Sequence, residues 1–205
     1  MLNRIARTSI TRLFTPLARG LLRLGISADA VTIVGTLGVC VGALAFYPRG
    51  EFLIGTLVIT AFVFSDNVDG IMARLSGHQS SWGAFLDSVL DRVGDAAIFI
   101  GLALWFAGAG NSLRLTALCL ACLALGAVVS YAKARAEGLG YTADVGIAER
   151  AERLIAVLVT TGLVGLFDLP VVVLEVVLWL LAAVSLWTIL QRVRTVKQQA
   201  TVEPV

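Results

Sequence analysis

The chain has 205 residues, of which 58% are hydrophobic and 15% charged, and its mean hydropathy is +0.90. That is too apolar for a water-soluble domain and long enough for several membrane spans. The net charge of +2 says little as a total, because in membrane proteins the placement of Lys and Arg decides orientation.

The first segment, MLNRIARTSITRLFTPLARGLLRLG, is basic like a signal peptide, but arginines interrupt it and no apolar core precedes a small-residue cleavage site. Its apolar positions, from Leu2 and Ile5 to Leu21 and Leu24, recur at near-helical spacing between Arg4, Arg7, Arg12, Arg19 and Arg23. This predicts a retained amphipathic helix over residues 1–25, lying in the interface against anionic lipid. The alternative is a plain basic tail.

Apolar runs follow near 29–47, 52–74, 83–108, 112–134, 151–168 and 171–191, each close to the ~20 residues a helix needs to cross hydrocarbon. The fold expected is all-α, a polytopic membrane protein of six transmembrane helices (26–195) preceded by the interfacial helix. Residues 196–205 read as a frayed cytoplasmic tail. On this topology Arg49 and Arg114 are the only two of 16 Lys and Arg residues on one side. The other side is then the cytoplasm and holds both termini, as for a multi-pass protein of the plasma membrane. Cys119 and Cys122 have redox-motif spacing but sit within a span, as Cys40 does, and read as small buried hydrophobes. Gly38 and Gly42 permit close helix packing in the first span.

The second span carries Asp66 and Asp69, three apart and on one helical face; the third carries Asp87 and Asp91, four apart and also on one face. A helical hairpin over 65–95 brings the four carboxylates to matching depth. Like charges at a membrane boundary repel and resist desolvation, so they need protonation, basic partners or metal cations. All-oxygen ligands suit Mg²⁺, Mn²⁺ or Ca²⁺, and two such ions would form a clamp for displacement at phosphorus. Gly70 and Gly83 leave backbone open beside the acids. Snorkelling or helix-capping acids are the bland alternative, adequate for Asp95. A cation transporter is the alternative of a different class, although no Gly/Pro breaks occur at matching places in two halves.

Asp66-x-x-Asp69-Gly70-x-x-Ala73-Arg74, then Gly83-x-x-x-Asp87-x-x-x-Asp91, resembles the complete signature of the CDP-alcohol phosphotransferases. The resemblance covers roughly residues 25–192 and implies an enzyme that moves a substituted phosphate from a CDP-linked donor to an alcohol, releasing CMP. It implies Asp66, Asp69, Asp87 and Asp91 as ligands of two Mg²⁺ ions, with Mn²⁺ an alternative, and Asp91 as general base. Gly70, Ala73, Arg74 and Gly83 would line the nucleotide. The stretch ISADAVT resembles the family's entry segment, which places Asp29 and Thr32 near the cytidine; Ala28 stands where proline is usual, and Ser27 or Asp29 also suits a helix N-cap.

For the acceptor, YAKARAEGLG and GIAERAERLIA place Lys133, Arg135, Arg150 and Arg153 around one loop, and Arg192 ends the last span. Ordinary positive-inside anchoring is one explanation; a phosphorylated acceptor is the other. Together the two stretches resemble the bacterial branch whose members make phosphatidylinositol phosphate. That implies CDP-diacylglycerol as donor and inositol phosphate as acceptor, with Lys133, Arg153 and Arg192 on its phosphate and Ser130 beside the ring. Glycerol 3-phosphate is the alternative acceptor. The resemblance also implies a homodimer in a lipid bilayer, with no nucleic-acid partner. His78, in the hairpin loop, reads as loop polarity.

Overall fold

The computed structural model describes residues 14–76, 80–147 and 149–202, without the side chains of Asp66, Asn67 and Val202. Residues 1–13, with Arg4, Arg7 and Arg12, and the loop residue His78 lie outside that set. Every regular element described is helical. Residues 14–23 form α1. It is followed by α2 (Ala28–Phe46), a 3₁₀ turn (Tyr47–Arg49), α3 (Phe52–Val63), α4 (Ser65–Ser76), α5 (Ser81–Ala107), α6 (Leu113–Glu137), α7 (Arg150–Phe167) and α8 (Val172–Val202).

Serine hydroxyls start three of these helices by accepting from first-turn N–H groups: Ser27 from Ala30 at 3.2 Å, Ser80 from Gly83 at 3.0 Å and Ser112 from Leu115 at 3.3 Å. Ser27, not Asp29, is therefore the cap of α2, and Asp29 stands in its first turn.

Two boundaries differ from expectation. The second apolar run is divided into α3 and α4, joined at Phe64. There the hydroxyl of Ser65 donates to the Phe62 carbonyl at 2.6 Å and competes with the helical ladder. The last helix, in contrast, runs on to Val202, so residues 196–202 are not frayed. Gln199 exchanges hydrogen bonds with the Thr142 backbone, accepting from its N–H at 2.9 Å and donating to its carbonyl at 2.7 Å.

The helices close a ring in which α2 packs on α3, α3 on α7, α7 on α8, α8 on α6, α6 on α5 and α5 back on α2. Inside it Tyr47, Ile59, Ile98, Leu102, Phe106, Leu174 and Leu178 are fully buried. Gly38 faces the Phe62 ring and Gly42 faces Val58 and Ile59, so the paired glycines seat α3 against α2 within one chain. Large apolar side chains such as Leu37, Val41, Leu57, Ile155 and Leu180 point outward, as suits a lipid-facing surface.

Four stretches are long and apolar enough to cross a membrane: Ala28–Arg49, Phe52–Ser76, Leu113–Glu137 and Val172–Thr201. The other two ring members, α5 and α7, hold Asp87, Asp91, Arg92 and Asp95, and Arg150, Glu152 and Arg153 respectively. Of the expected interfacial helix, residues 14–23 are described. Ala18 there is fully buried in a cluster with Val68, Ile71 and Met72 of α4, while Arg19 and Arg23 are exposed.

Candidate active site

Four helices meet around a cavity of about 460 Å³. Asp29 and Thr32 enter it from α2; Asp69, Gly70, Ala73 and Arg74 from α4; Gly83, Asp87 and Asp91 from the Ser80-capped end of α5; and Arg150 from the start of α7. Thus three of the four motif carboxylates, and all six residues expected at the nucleotide, line one cavity. Asp66 lies on α4, three residues before Asp69; its side chain is outside the described residues.

Asp69 is buried, and the Thr32 hydroxyl donates to its Oδ2 at 2.6 Å. A short charge-assisted bond of this kind holds the carboxylate in one orientation. Gly70 stands clear, with nothing within 4 Å of where a Cβ would project, and at Gly83 a Cβ would come 3.6 Å from Asp29 Oδ1. Both therefore keep the cavity open along the two helices.

Asp91 and Asp95, one helical turn apart, share Arg150. Its Nη1 is 2.8 Å from Asp91 Oδ1, and its Nε donates to Asp95 Oδ1 at 3.0 Å. Arg153 Nη2 lies 3.7 Å from Asp95 Oδ2, and Arg92 stands beside both acids. Asp95 is thus held in an ion network that ties α7 to α5. Besides the expected Arg74, Arg150 enters the cavity, a residue that sequence reasoning left among general loop cations. A signal was present: Arg150 and Arg153 are three apart on α7, and Asp91 and Asp95 are four apart on α5, so two faces of opposite charge were available to meet.

The residues expected at the acceptor do not line this cavity. The Ser130 hydroxyl donates to the Gly126 carbonyl at 3.2 Å, Lys133 Nζ is 2.5 Å from Asp144 Oδ1, and Arg153 is buried beside Asp95. Arg192 departs furthest from a free phosphate ligand. It is only 3% exposed and donates through Nη1 to the Val129 carbonyl at 2.6 Å and through Nε to Val145 at 3.0 Å. In the loop between α6 and α7, the hydrogen bond from Lys133 and then its charge hold the Asp144 carboxyl below the usual carboxylate range.

Among the described residues no three acidic, His or Cys side chains form a ready ion cage. The donors on the cavity wall are nevertheless all oxygen, from Asp69, Asp87, Asp91 and the Thr32 hydroxyl. That chemistry fits a hard divalent cation such as Mg²⁺ or Mn²⁺ and not a soft one.

The family model described as CDP-alcohol phosphatidyltransferase matches residues 26–190. The chain is similar to a phosphatidylinositol phosphate synthase of Streptomyces avermitilis, with 55% identity over 98% of this chain and 84% of that one. It is also similar to one of Cutibacterium acnes, at 44% over 94% and 96%. Among solved structures it resembles the Mycobacterium tuberculosis phosphatidylinositol phosphate synthase with CDP-DAG bound. There the TM-score is 0.87 and the identity 42%, over 95% of this chain and 98% of that one. The same enzyme in complex with manganese and citrate gives a TM-score of 0.87 at 41% identity, over 94% and 93%.

Proposed function

The chain belongs to the CDP-alcohol phosphatidyltransferase family, and we propose that it transfers the phosphatidyl group of CDP-diacylglycerol to inositol phosphate, giving phosphatidylinositol phosphate and CMP. The observation that carries this reading is the single cavity in which Asp69, Asp87 and Asp91 stand with Asp29, Arg74 and Gly83. The similarity to phosphatidylinositol phosphate synthases over nearly the whole chain supports the choice of acceptor. Nothing in family or fold favours the cation transporter.

Asp29 and Thr32 approach the cytidine, and Gly70, Ala73 and Gly83 leave room for the nucleotide between α4 and α5. Arg74 is suited to the donor's phosphate oxygens. Thr32 has a second task, orienting Asp69. Asp66, Asp69, Asp87 and Asp91 would hold two divalent cations, Mg²⁺ or Mn²⁺, which when bound neutralise the diphosphate and stabilise departing CMP. Asp91, on the side facing α7, accepts the proton of the acceptor hydroxyl as that oxygen bonds to the phosphatidyl phosphorus and the bond from phosphorus to CMP breaks. Arg150 steadies Asp91 from the α7 side. Lys133, Arg153 and Arg192, with Ser130, are assigned to the acceptor. Arg192 does so while two of its N–H groups donate to the Val129 carbonyl of α6 and the Val145 carbonyl of the loop.

The same reading makes α5 and α7 membrane spans alongside the four apolar ones, giving six, with both termini and the cavity at the cytoplasmic face of the plasma membrane. It makes residues 1–25 an interfacial helix, and it pairs two copies through a face other than Gly38 and Gly42. The test of function is CMP release by purified protein given CDP-diacylglycerol, Mg²⁺ and one of three acceptors. Inositol phosphate should support turnover and free inositol should not. Preference for glycerol 3-phosphate would overturn the acceptor and leave the family chemistry standing.

A further inference from the structure

The loop between α6 and α7 is strapped to α8 at three points. Gln199 holds Thr142, Arg192 holds the Val145 carbonyl, and the Thr188 hydroxyl accepts from Ile147 N–H at 3.3 Å. Gly146 makes the last contact possible: at φ +125° with the Thr188 side chain against it, the position suits no residue with a Cβ. Asp144 therefore sits on backbone fixed on both sides. Its carboxylate meets the Lys133 ammonium at 2.5 Å although its own side chain is 71% exposed. A neighbouring loop acid, Glu149, stands 3.6 Å from Arg192 Nη2. Of the cations assigned to the acceptor, Lys133 thus already has an anion opposite it, placed by an ordered strap rather than by chance reach.

We infer that Asp144 is a placeholder for the acceptor's phosphate: it occupies Lys133 between turnovers, is displaced when a phosphorylated acceptor binds, and returns as the phosphorylated product leaves. The inference rests on Lys133 being an acceptor ligand. An exposed ion pair is weak enough to exchange, and the fixed loop backbone lowers the entropy lost each time it re-forms. Because every anion that binds Lys133 must displace the same carboxylate, the placeholder weakens acceptor and product alike. It sets how tightly the site holds a phosphate rather than which phosphate it holds. The Asp144 carboxyl stays ionised through the neutral range, so it is available to return at each cycle.

The experiment is steady-state kinetics on the full chain with CDP-diacylglycerol and inositol phosphate, comparing Asp144→Asn, Asp144→Glu, Lys133→Ala and the double variant Lys133→Ala/Asp144→Asn. Removing the placeholder should lower the acceptor KM about two- to fivefold, the range an exposed ion pair commands, and lower the inhibition constant of added phosphatidylinositol phosphate by the same factor. Damage to the fold would raise KM instead, so a fall is diagnostic. Asp144→Glu, which keeps the charge, should stay near the wild-type KM, and in the Lys133→Ala background the Asn substitution should have no further effect. An acceptor KM unchanged or raised by Asp144→Asn, while Lys133→Ala raises it, would overturn the placeholder alone. If Lys133→Ala leaves the acceptor KM unchanged, the acceptor assignment of Lys133 fails and the placeholder fails with it.

Discussion

At the scale of single residues, the pairing of Thr32 with Asp69 makes a sharper prediction than the carboxylates themselves. Asp69→Asn or Asp87→Asn should lower turnover by roughly an order of magnitude or more, since on the proposed function each would remove a charged oxygen ligand. Thr32→Val keeps every carboxylate and removes the 2.6 Å bond that orients one of them, together with a longer 3.1 Å bond from the same hydroxyl to the Ala28 carbonyl. A hydrogen bond to a charged group contributes about 1.5–3 kcal/mol, so the Mg²⁺ concentration for half-maximal activity should rise about tenfold or more. Activity should then recover as Mg²⁺ is raised. A loss of rate that no Mg²⁺ concentration restores would move Thr32 from positioning Asp69 to direct contact with the donor. Asp91→Asn should stop transfer while CDP-diacylglycerol still binds; an equal loss of donor affinity would make Asp91 chiefly a metal ligand.

At the scale of the elements, glycines in neighbouring helices have opposite reasons to be there. A side chain at Gly38 would collide with the Phe62 ring where α2 packs on α3, whereas one at Gly70 would enter open space in the cavity. Gly38→Leu should therefore overpack the α2–α3 contact, costing about 1–3 kcal/mol and lowering the Tm of the purified protein. Gly70→Ala should hold or slightly raise the Tm, because alanine loses less entropy in a helix, and should raise the donor KM. If thermal denaturation shows Gly70→Ala to be the less stable of the two, α4 packs more tightly at that face than the structure has it. The α3–α4 break belongs to this scale as well. The polar run Ser65-Asp66-Asn67 follows Phe64 directly, and the Ser65 hydroxyl turns back there on the Phe62 carbonyl.

At the scale of the whole molecule, α5 and α7 fall short of the apolar helices because their ions are concentrated at one end. In α5 the charges stop at Asp95, and Ala96–Ala107 is free of them; in α7 they stop at Arg153. Charges gathered at one end of a helix compensate one another there and leave the remainder able to lie in hydrocarbon. A six-span arrangement then puts Ala109 and Leu139 on opposite faces of the membrane. With Cys40, Cys119 and Cys122 replaced by alanine, Ala109→Cys in intact cells should react with a membrane-impermeant maleimide, and Leu139→Cys should react only after the cells are opened. Equal labelling of both in intact cells would exclude six spans.

By itself the sequence determined the membrane class, the helical fold, the motif on α4 and α5 and the family chemistry. These depend on local composition and on spacings of three and four residues that a helix turns into shared faces. The glycine pairing of α2 with α3 and the ring order of the helices depend on which faces meet, and spacing along one helix does not encode its partner. The same holds for the ions. Arg150 could be read as a cytoplasmic anchor until α7 was seen to begin against Asp91 and Asp95. Arg192 could be read as a free cation at the end of the last span until α6 and the loop after it put the Val129 and Val145 carbonyls within its reach. A charged side chain's role is set by what lies within a few ångströms of its end, and for residues 47 to 63 positions apart only the tertiary structure decides that.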